Sequence, residues 1–235
     1  MAADRHTRTQ TLRASLLSGT IFLLSVMNAR AGDASTGMEI AKHGTSAGAP
    51  ACVGCHGVSG EGNVSAGFPR LAGLSAAYLS EQMAAFASGE RQSPIMSPIA
   101  KTLTLEERVA LVNYLSNLRT SAAAKPEAGA SVTSAQTGAW IATRGRWDTG
   151  LPACAQCHGP RGAGVGASFP PLAGQPASYL ARQLHNWKNG TRPPGPMALM
   201  QVVASKLSDA DIVAVAGYYG AQTGVPTGDP NGSHP

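Results

Sequence analysis

The chain has 235 residues, of which 43% are apolar and 13% charged, with 28 Gly and 16 Pro; the apolar content excludes a disordered chain, and the Gly and Pro exclude a fibrous or coiled-coil one. The formal charge of +5 is inflated by the first 31 residues, where Arg5, Arg8, Arg13 and Arg30 face only Asp4. The remainder holds 14 basic against 12 acidic residues, with no run of Lys and Arg interleaved with aromatics, which excludes nucleic-acid reading.

In chain order, the first element reads as a targeting segment. Arg5, Arg8 and Arg13 precede an apolar stretch from Ala14 to Met27, and Ala29-Arg30-Ala31 supplies the small residues that a signal peptidase inspects. Cleavage is expected after Ala31. The apolar stretch is too short for an anchor, because a span needs roughly 20 residues, and no later segment is long and apolar enough. The processed chain is expected in the periplasm, as a monomer without a transmembrane span and free to associate peripherally with a membrane.

The rest is organised by an internal repeat. Ala51-Cys52-Val53-Gly54-Cys55-His56-Gly57 recurs as Ala153-Cys154-Ala155-Gln156-Cys157-His158-Gly159, displaced by 102 residues. Phe68-Pro69-Arg70-Leu71-Ala72-Gly73 recurs as Phe169-Pro170-Pro171-Leu172-Ala173-Gly174, and Tyr78, Gln82, Gly89 and Arg91 recur as Tyr179, Gln183, Gly190 and Arg192, all displaced by 101. Order and spacing kept over this distance predict two homologous domains. The expected boundaries are 32–120 and 138–235, with an Ala- and Ser-rich linker at 121–137.

Each half predicts helices separated by long loops. In the first, Ser75 is placed to cap a helix running to Ser88 and Gly89 to end it. Thr104 and Glu107 form a capping box before a terminal helix whose apolar stripe takes in Val109, Leu111, Val112, Leu115 and Leu118. In the second, Pro176 suits a first helical position, Gly190 ends that helix, and Ser208 opens the terminal one with Ile212, Val213, Val215, Ala216 and Tyr219. No alternating strand pattern occurs, so both domains are expected to be all-α.

All four cysteines sit in the two C-x-x-C-H pentads. Two thiols three residues apart on a helical turn can add across the two vinyl groups of one haem, and the adjacent His then faces the iron. The pentads therefore predict two covalently bound haem c groups, through Cys52 and Cys55 with His56, and through Cys154 and Cys157 with His158. Three other readings are weaker. Disulfides closing two such short loops would staple almost nothing. A thioredoxin-like pair lacks its strand and helix setting, and Cys, Cys and an adjacent His cannot easily wrap one tetrahedral zinc. Haem would also fill cores that 5% aromatic residues leave thin.

Leader, paired pentads, the FPRLAG and FPPLAG phrases, the Tyr-Leu and Gln that follow them and the capped terminal helices together resemble the dihaem cytochromes c4, over residues 37 to 223. The resemblance implies tandem class I cytochrome c domains and an electron carrier. The chain departs from the family in its linker and in Ala139-Trp140-Ile141 and Arg144-Gly145-Arg146-Trp147 before the second pentad, which bears on partner surfaces.

Whether the iron transfers electrons or reacts is decided by its second axial ligand. In the first half, apart from Met83 inside a helix, Met96 is the Met between the FPRLAG loop and the terminal helix, eight residues before Thr104. In the second, Met200 stands eight before Ser208, with Met197 as its rival. The family places a distal Met in this loop, so Met96 and Met200 are the expected ligands. Met38 and Met83 read as core filler. The resemblance also makes the carbonyls of Pro69 and Pro170 the acceptors for the proximal imidazole protons. Arg91 and Arg192 are candidates for pairing with haem propionates.

The leading reading is a carrier between respiratory partners, with a membrane quinol-oxidising complex as donor and a terminal oxidase or reductase as acceptor. The alternatives are a dihaem enzyme, such as a thiosulfate dehydrogenase or peroxidase, or the cytochrome subunit of a dehydrogenase. Residues 32–127 hold 7 basic and 8 acidic residues, whereas 128–235 hold 7 and 4. With Arg144, Arg146 and Arg161 around the second pentad, the second half is expected to steer an acidic partner.

Overall fold

The structure is a computed structural model and describes residues 36–119 and 132–222. The expected leader lies outside these residues, as does most of the expected linker. The order is α1 (residues 36–43), α2 (Val53–His56), α3 (Ala76–Ser88), α4 (Met96–Thr102) and α5 (Leu105–Asn117), then α6 (Val132–Arg144), α7 (Cys154–His158), α8 (Ala177–Lys188), α9 (Leu199–Ser205) and α10 (Asp209–Gly220). The second half thus repeats the first, helix for helix. Among the described residues the only extended pairing is three isolated bridges, Asn63 with Phe68, Arg146 with Leu151 and Val165 with Phe169. The fold is all-α.

Local chemistry explains the helix ends. Ser75 Oγ accepts from the Tyr78 N–H, and Gly89 closes α3 at φ +87°. Thr104 and Glu107 form the expected capping box of α5, and Ser208 forms a second one with Asp211 at α10. Pro176 is the N-cap of α8 rather than its first residue, and Asn189 is the C-cap, one residue before Gly190. Helix α6 begins at Val132, inside the segment expected as linker. The Ala- and Ser-rich composition that suggested a loop suits a helix equally, and its later turns are held by burial of Ile141 and Ala142.

Each half has its own core. In the first, Ile40, Leu79, Phe86, Leu111, Val112 and Leu115 cluster; in the second, Ile141, Leu180, Leu207, Ile212, Val215 and Tyr219 do so. Val109 and Val213, expected on the apolar faces, are exposed. The terminal helices cross their partners at glycine: a Cβ on Gly37 would lie 2.1 Å from the Ala110 carbonyl, and one on Gly138 2.1 Å from the Ala214 carbonyl. No larger residue allows that approach.

The halves meet through polar side chains. Arg70, almost fully buried, donates Nη1 to the Ala72 carbonyl at 2.7 Å and Nη2 to the Ala173 carbonyl at 3.0 Å. Gln175 clasps its backbone, accepting from the Arg70 N–H at 3.0 Å and donating to the Arg70 carbonyl at 2.9 Å. Burial lowers the Arg70 guanidinium to about 10. Ser75 Oγ donates to the Ala167 carbonyl at 3.1 Å, and Arg182 to the Gly67 carbonyl at 2.7 Å.

Candidate functional site

The two pentads form matching turns. Cys52 caps α2 and Cys154 opens α7, and both helices end at a buried His. All four cysteines are free thiols, so the disulfide reading has no support. Burial pushes the Cys52 thiol up and the Cys154 thiol up to about 11, opposite to the depressed thiol of a redox pair. Among the described residues no group of three or more His, Cys, Asp and Glu is arranged to hold a metal ion, so the zinc reading has no geometry either.

The histidines are set alike. His56 Nδ1 lies 2.8 Å from the Pro69 carbonyl oxygen and His158 Nδ1 2.9 Å from that of Pro170. A carbonyl can only accept, so Nδ1 carries the proton and Nε2 keeps its lone pair. Burial lowers both imidazoles below their ordinary range, against the smaller upward pull of the carbonyl, so both are neutral. Phe68 and Phe169 pack edge-on to the two rings at centroid distances of 5.8 and 6.1 Å. A neutral imidazole with a fixed tautomer and ring plane is what a metal needs from a His ligand.

Beside His56 runs a cleft lined by Ala41, Cys52, Val53, Leu71, Tyr114 and Leu118. The Cys52 thiol and the imidazole therefore border an apolar wall. In the second half the buried Tyr219 hydroxyl lies against the Cys154 thiol, in the apolar cluster that Cys154 adjoins. Free thiols, a neutral imidazole and apolar surroundings fit a covalently attached haem.

Met96 is the first residue of α4 rather than part of a loop. Its N–H donates to Ser93 Oγ at 3.0 Å, which ties the start of α4 to the preceding turn. The side chain is half-buried against the first core. Met200 is the second residue of α9 and half-buried, whereas Met197 has φ +55° and is 90% exposed. Met83 is buried among core residues.

Arg91 and Arg192 lie buried between the halves. Arg91 donates Nη1 to Gln82 Oε1 at 2.7 Å and Nη2 to Gln183 Oε1 at 2.7 Å and the Tyr179 hydroxyl at 3.3 Å. Arg192 mirrors this with Gln183 at 3.0 Å, Gln82 at 3.1 Å and the Tyr78 hydroxyl at 3.3 Å. Their guanidinium groups stack on Phe86 and Trp187. The sequence reading missed this joint, although its signal was present: Tyr78, Gln82 and Arg91 recur as one set.

Arg146, expected on a docking face, is instead bound to buried Asp211 through both terminal nitrogens, Nη1 at 2.9 Å from Oδ2 and Nη2 beside Oδ1. An arginine neutralised in this way adds little to steering. Arg144 stacks on Trp140 at 4.6 Å.

The profile of the cytochrome c family matches residues 41–119 and 148–219. A thiosulfate dehydrogenase electron acceptor of Stutzerimonas stutzeri is 45% identical over 207 residues, 86% of this chain and 92% of that protein. Cytochrome c4 of Pseudomonas aeruginosa is 35% identical over 191 residues, 80% of this chain and 88% of that protein. The solved structure of a thiosulfate dehydrogenase from Marichromatium purpuratum superposes with a TM-score of 0.75 at 42% identity, covering 79% of this chain. This chain spans only 39% of that longer one.

Proposed function

The chain belongs to the cytochrome c family in its dihaem, c4-like form, carrying two covalent haem c groups, and from that premise we propose that it is the periplasmic electron acceptor of a thiosulfate-oxidising dehydrogenase. The observation that carries this reading is the 45% identity to a protein of that description over 92% of its length, against 35% to a cytochrome c4. The proposed donor is thus a dehydrogenase rather than a quinol-oxidising complex; the proposed acceptor remains a terminal oxidase or reductase. The dehydrogenase structure it resembles is more than twice as long, which supports a carrier and not the enzyme. Among the described residues no helix is long and apolar enough to cross a membrane.

In this reading Cys52 with Cys55, and Cys154 with Cys157, hold the two haems by thioether bonds. Haem supplies a one-electron couple. His56 and His158 would offer Nε2 to the iron, since the Pro69 and Pro170 carbonyls hold the opposite nitrogen protonated. Met96 and Met200 would supply the second ligand to each iron and so keep small molecules away. The Arg91 and Arg192 joint fixes the distance between the halves, on which transfer inside the chain depends.

The test is reduction of the purified holoprotein followed by its visible absorption. Thiosulfate with a thiosulfate dehydrogenase is expected to reduce both haems, and thiosulfate alone neither. Reduction by thiosulfate alone would make the chain the enzyme; no reduction by the pair would remove the proposed donor.

A further inference from the structure

The repeat provides an internal control for side chains that the fold does not need. Helices α1 and α6 occupy the same place, cross α5 and α10 at the matched Gly37 and Gly138, and end in matched left-handed glycines, Gly44 at φ +77° and Gly145 at φ +69°. A Cβ on either would lie 2.1 or 2.2 Å from the carbonyl of Ala49 or Leu151. On this common scaffold the outer faces differ. The first half places Glu39 and His43 one turn apart, with a 3.7 Å contact between them, and Ser46 in its turn. The second places Trp140 and Arg144 one turn apart, and Trp147 in its turn. Since the matched helix of the first half folds without Trp140, folding does not account for it, and Trp147, 90% exposed, adds nothing to the core.

The turn that carries Trp147 is braced on every side. Arg146 and Leu151 exchange backbone hydrogen bonds at 2.8 Å, and the Gly150 N–H donates to the Trp147 carbonyl at 3.2 Å. Arg146 is tied to Asp211, and Lys206 Nζ donates to the Gly150 carbonyl at 2.7 Å. At its tip Trp147 is 90% exposed, and Trp140 is 55% exposed on the adjoining helix. The backbone of this turn is ordered before any partner arrives, so seating the exposed ring costs only its side-chain entropy, which suits Trp147 to the role of an interface anchor.

Charge selects the partner. Arg144 lies over Trp140 and Lys206 on the Trp147 turn, neither in an ion pair among the described residues, against Asp148 alone on the turn. The second half as a whole carries 7 basic against 4 acidic residues. Helix α6 also packs on α7, the helix of the second pentad, so a protein seated here lies on the second domain close to its redox centre.

We propose that Trp140, Arg144 and Trp147 form the docking surface for the electron-donating dehydrogenase, whose matching face carries carboxylates around an apolar pocket. This rests on the donor assigned above.

The test transplants first-half residues: Trp140→Glu with Arg144→His on the shared helix, and Trp147→Ser in a turn one residue longer than its counterpart, where the side chain lies in solvent. The holoproteins are reduced by a thiosulfate dehydrogenase with thiosulfate, and separately by ascorbate. The dehydrogenase rate constant is expected to fall tenfold or more in each variant, as it does for truncated interface anchors, with the ascorbate rate unchanged. The wild-type rate is expected to fall as salt rises. Variant rates within twofold of wild type overturn the docking surface while leaving the donor in place. A wild-type protein that the dehydrogenase does not reduce overturns the donor, and the surface with it. Unchanged dehydrogenase rates with lost binding to phosphatidylglycerol vesicles would make the face a membrane contact. A wild-type dimer that the variants dissociate, again at unchanged rates, would make it a contact between copies.

Discussion

Arg91 and Gln183 join the two halves directly: Nη2 of the arginine donates to Oε1 of the glutamine at 2.7 Å, and Arg192 returns the bond to Gln82 at 3.1 Å. Both guanidinium groups are buried, and every acceptor they use is neutral. Each glutamine Oε1 accepts from both arginines, so removing one arginine leaves both oxygens a donor and strips only the tyrosine hydroxyl it served, whereas removing both leaves the two amide oxygens without a guanidinium donor.

Arg91→Ala is therefore expected to destabilise the protein by about 2 kcal/mol, read as a lower denaturation midpoint. Arg91→Ala with Arg192→Ala should cost more than the two single changes together, because only the double change leaves the shared glutamine oxygens without a donor. Strictly additive costs would show that the two arginines act independently.

Met96→Ala and Met200→Ala are each expected to open one haem to carbon monoxide while leaving its covalent attachment intact. Met197→Ala should open neither, since that side chain is 90% exposed. The optical spectrum with and without carbon monoxide decides. A second haem opened by Met197→Ala and closed in Met200→Ala would place the ligand three residues earlier.

Cys52→Ala with Cys55→Ala should lower the denatured mass by one haem, and Cys154→Ala with Cys157→Ala by the other. Mass spectrometry and a haem-stained denaturing gel check this. An unchanged mass in either double variant removes that pentad as an attachment site.

Asp211 ties α10 to the Trp147 turn. Burial alone would raise its carboxyl, but hydrogen bonds from the Ser208 hydroxyl and N–H, together with Arg146, outweigh it and hold the group below the usual carboxylate range. A carboxyl lowered in the folded state stabilises above its unfolded value of about 3.9 and loses that contribution as pH falls through the folded one. Asp211→Asn is expected to cost about 2 kcal/mol at pH 7. Chemical denaturation should show that difference narrowing below pH ~4; a constant difference would mean that the carboxylate charge is not what holds the turn.

Much of the site is legible in the sequence because its chemistry is local. Two thiols and an imidazole must lie within one helical turn to meet one haem, so the pentads announce the cofactor without a fold. Capping at Ser75, Thr104 and Ser208 is equally local, each cap reaching only three residues along the chain. Boundary errors arose where composition was ambiguous: an Ala- and Ser-rich run suits both loop and helix, and α6 starts inside it. Val109 and Val213 were misplaced because a period of 3.6 locates an apolar face only to within a residue or two of its edge.

The repeat, the all-α fold and the two haem groups are legible from order and spacing along the chain, while the role of the Pro69 and Pro170 carbonyls came from the family resemblance. What crosses between distant segments is set by packing. It put Arg91 and Arg192 into a shared joint, closed Arg70 under Gln175, paired Arg146 with Asp211 and left Met197 and Trp147 in solvent. A guanidinium donates equally well to a carboxylate, an amide or a carbonyl, so its partner depends on which acceptor packing brings within about 3 Å, and spacing along the chain does not encode that distance.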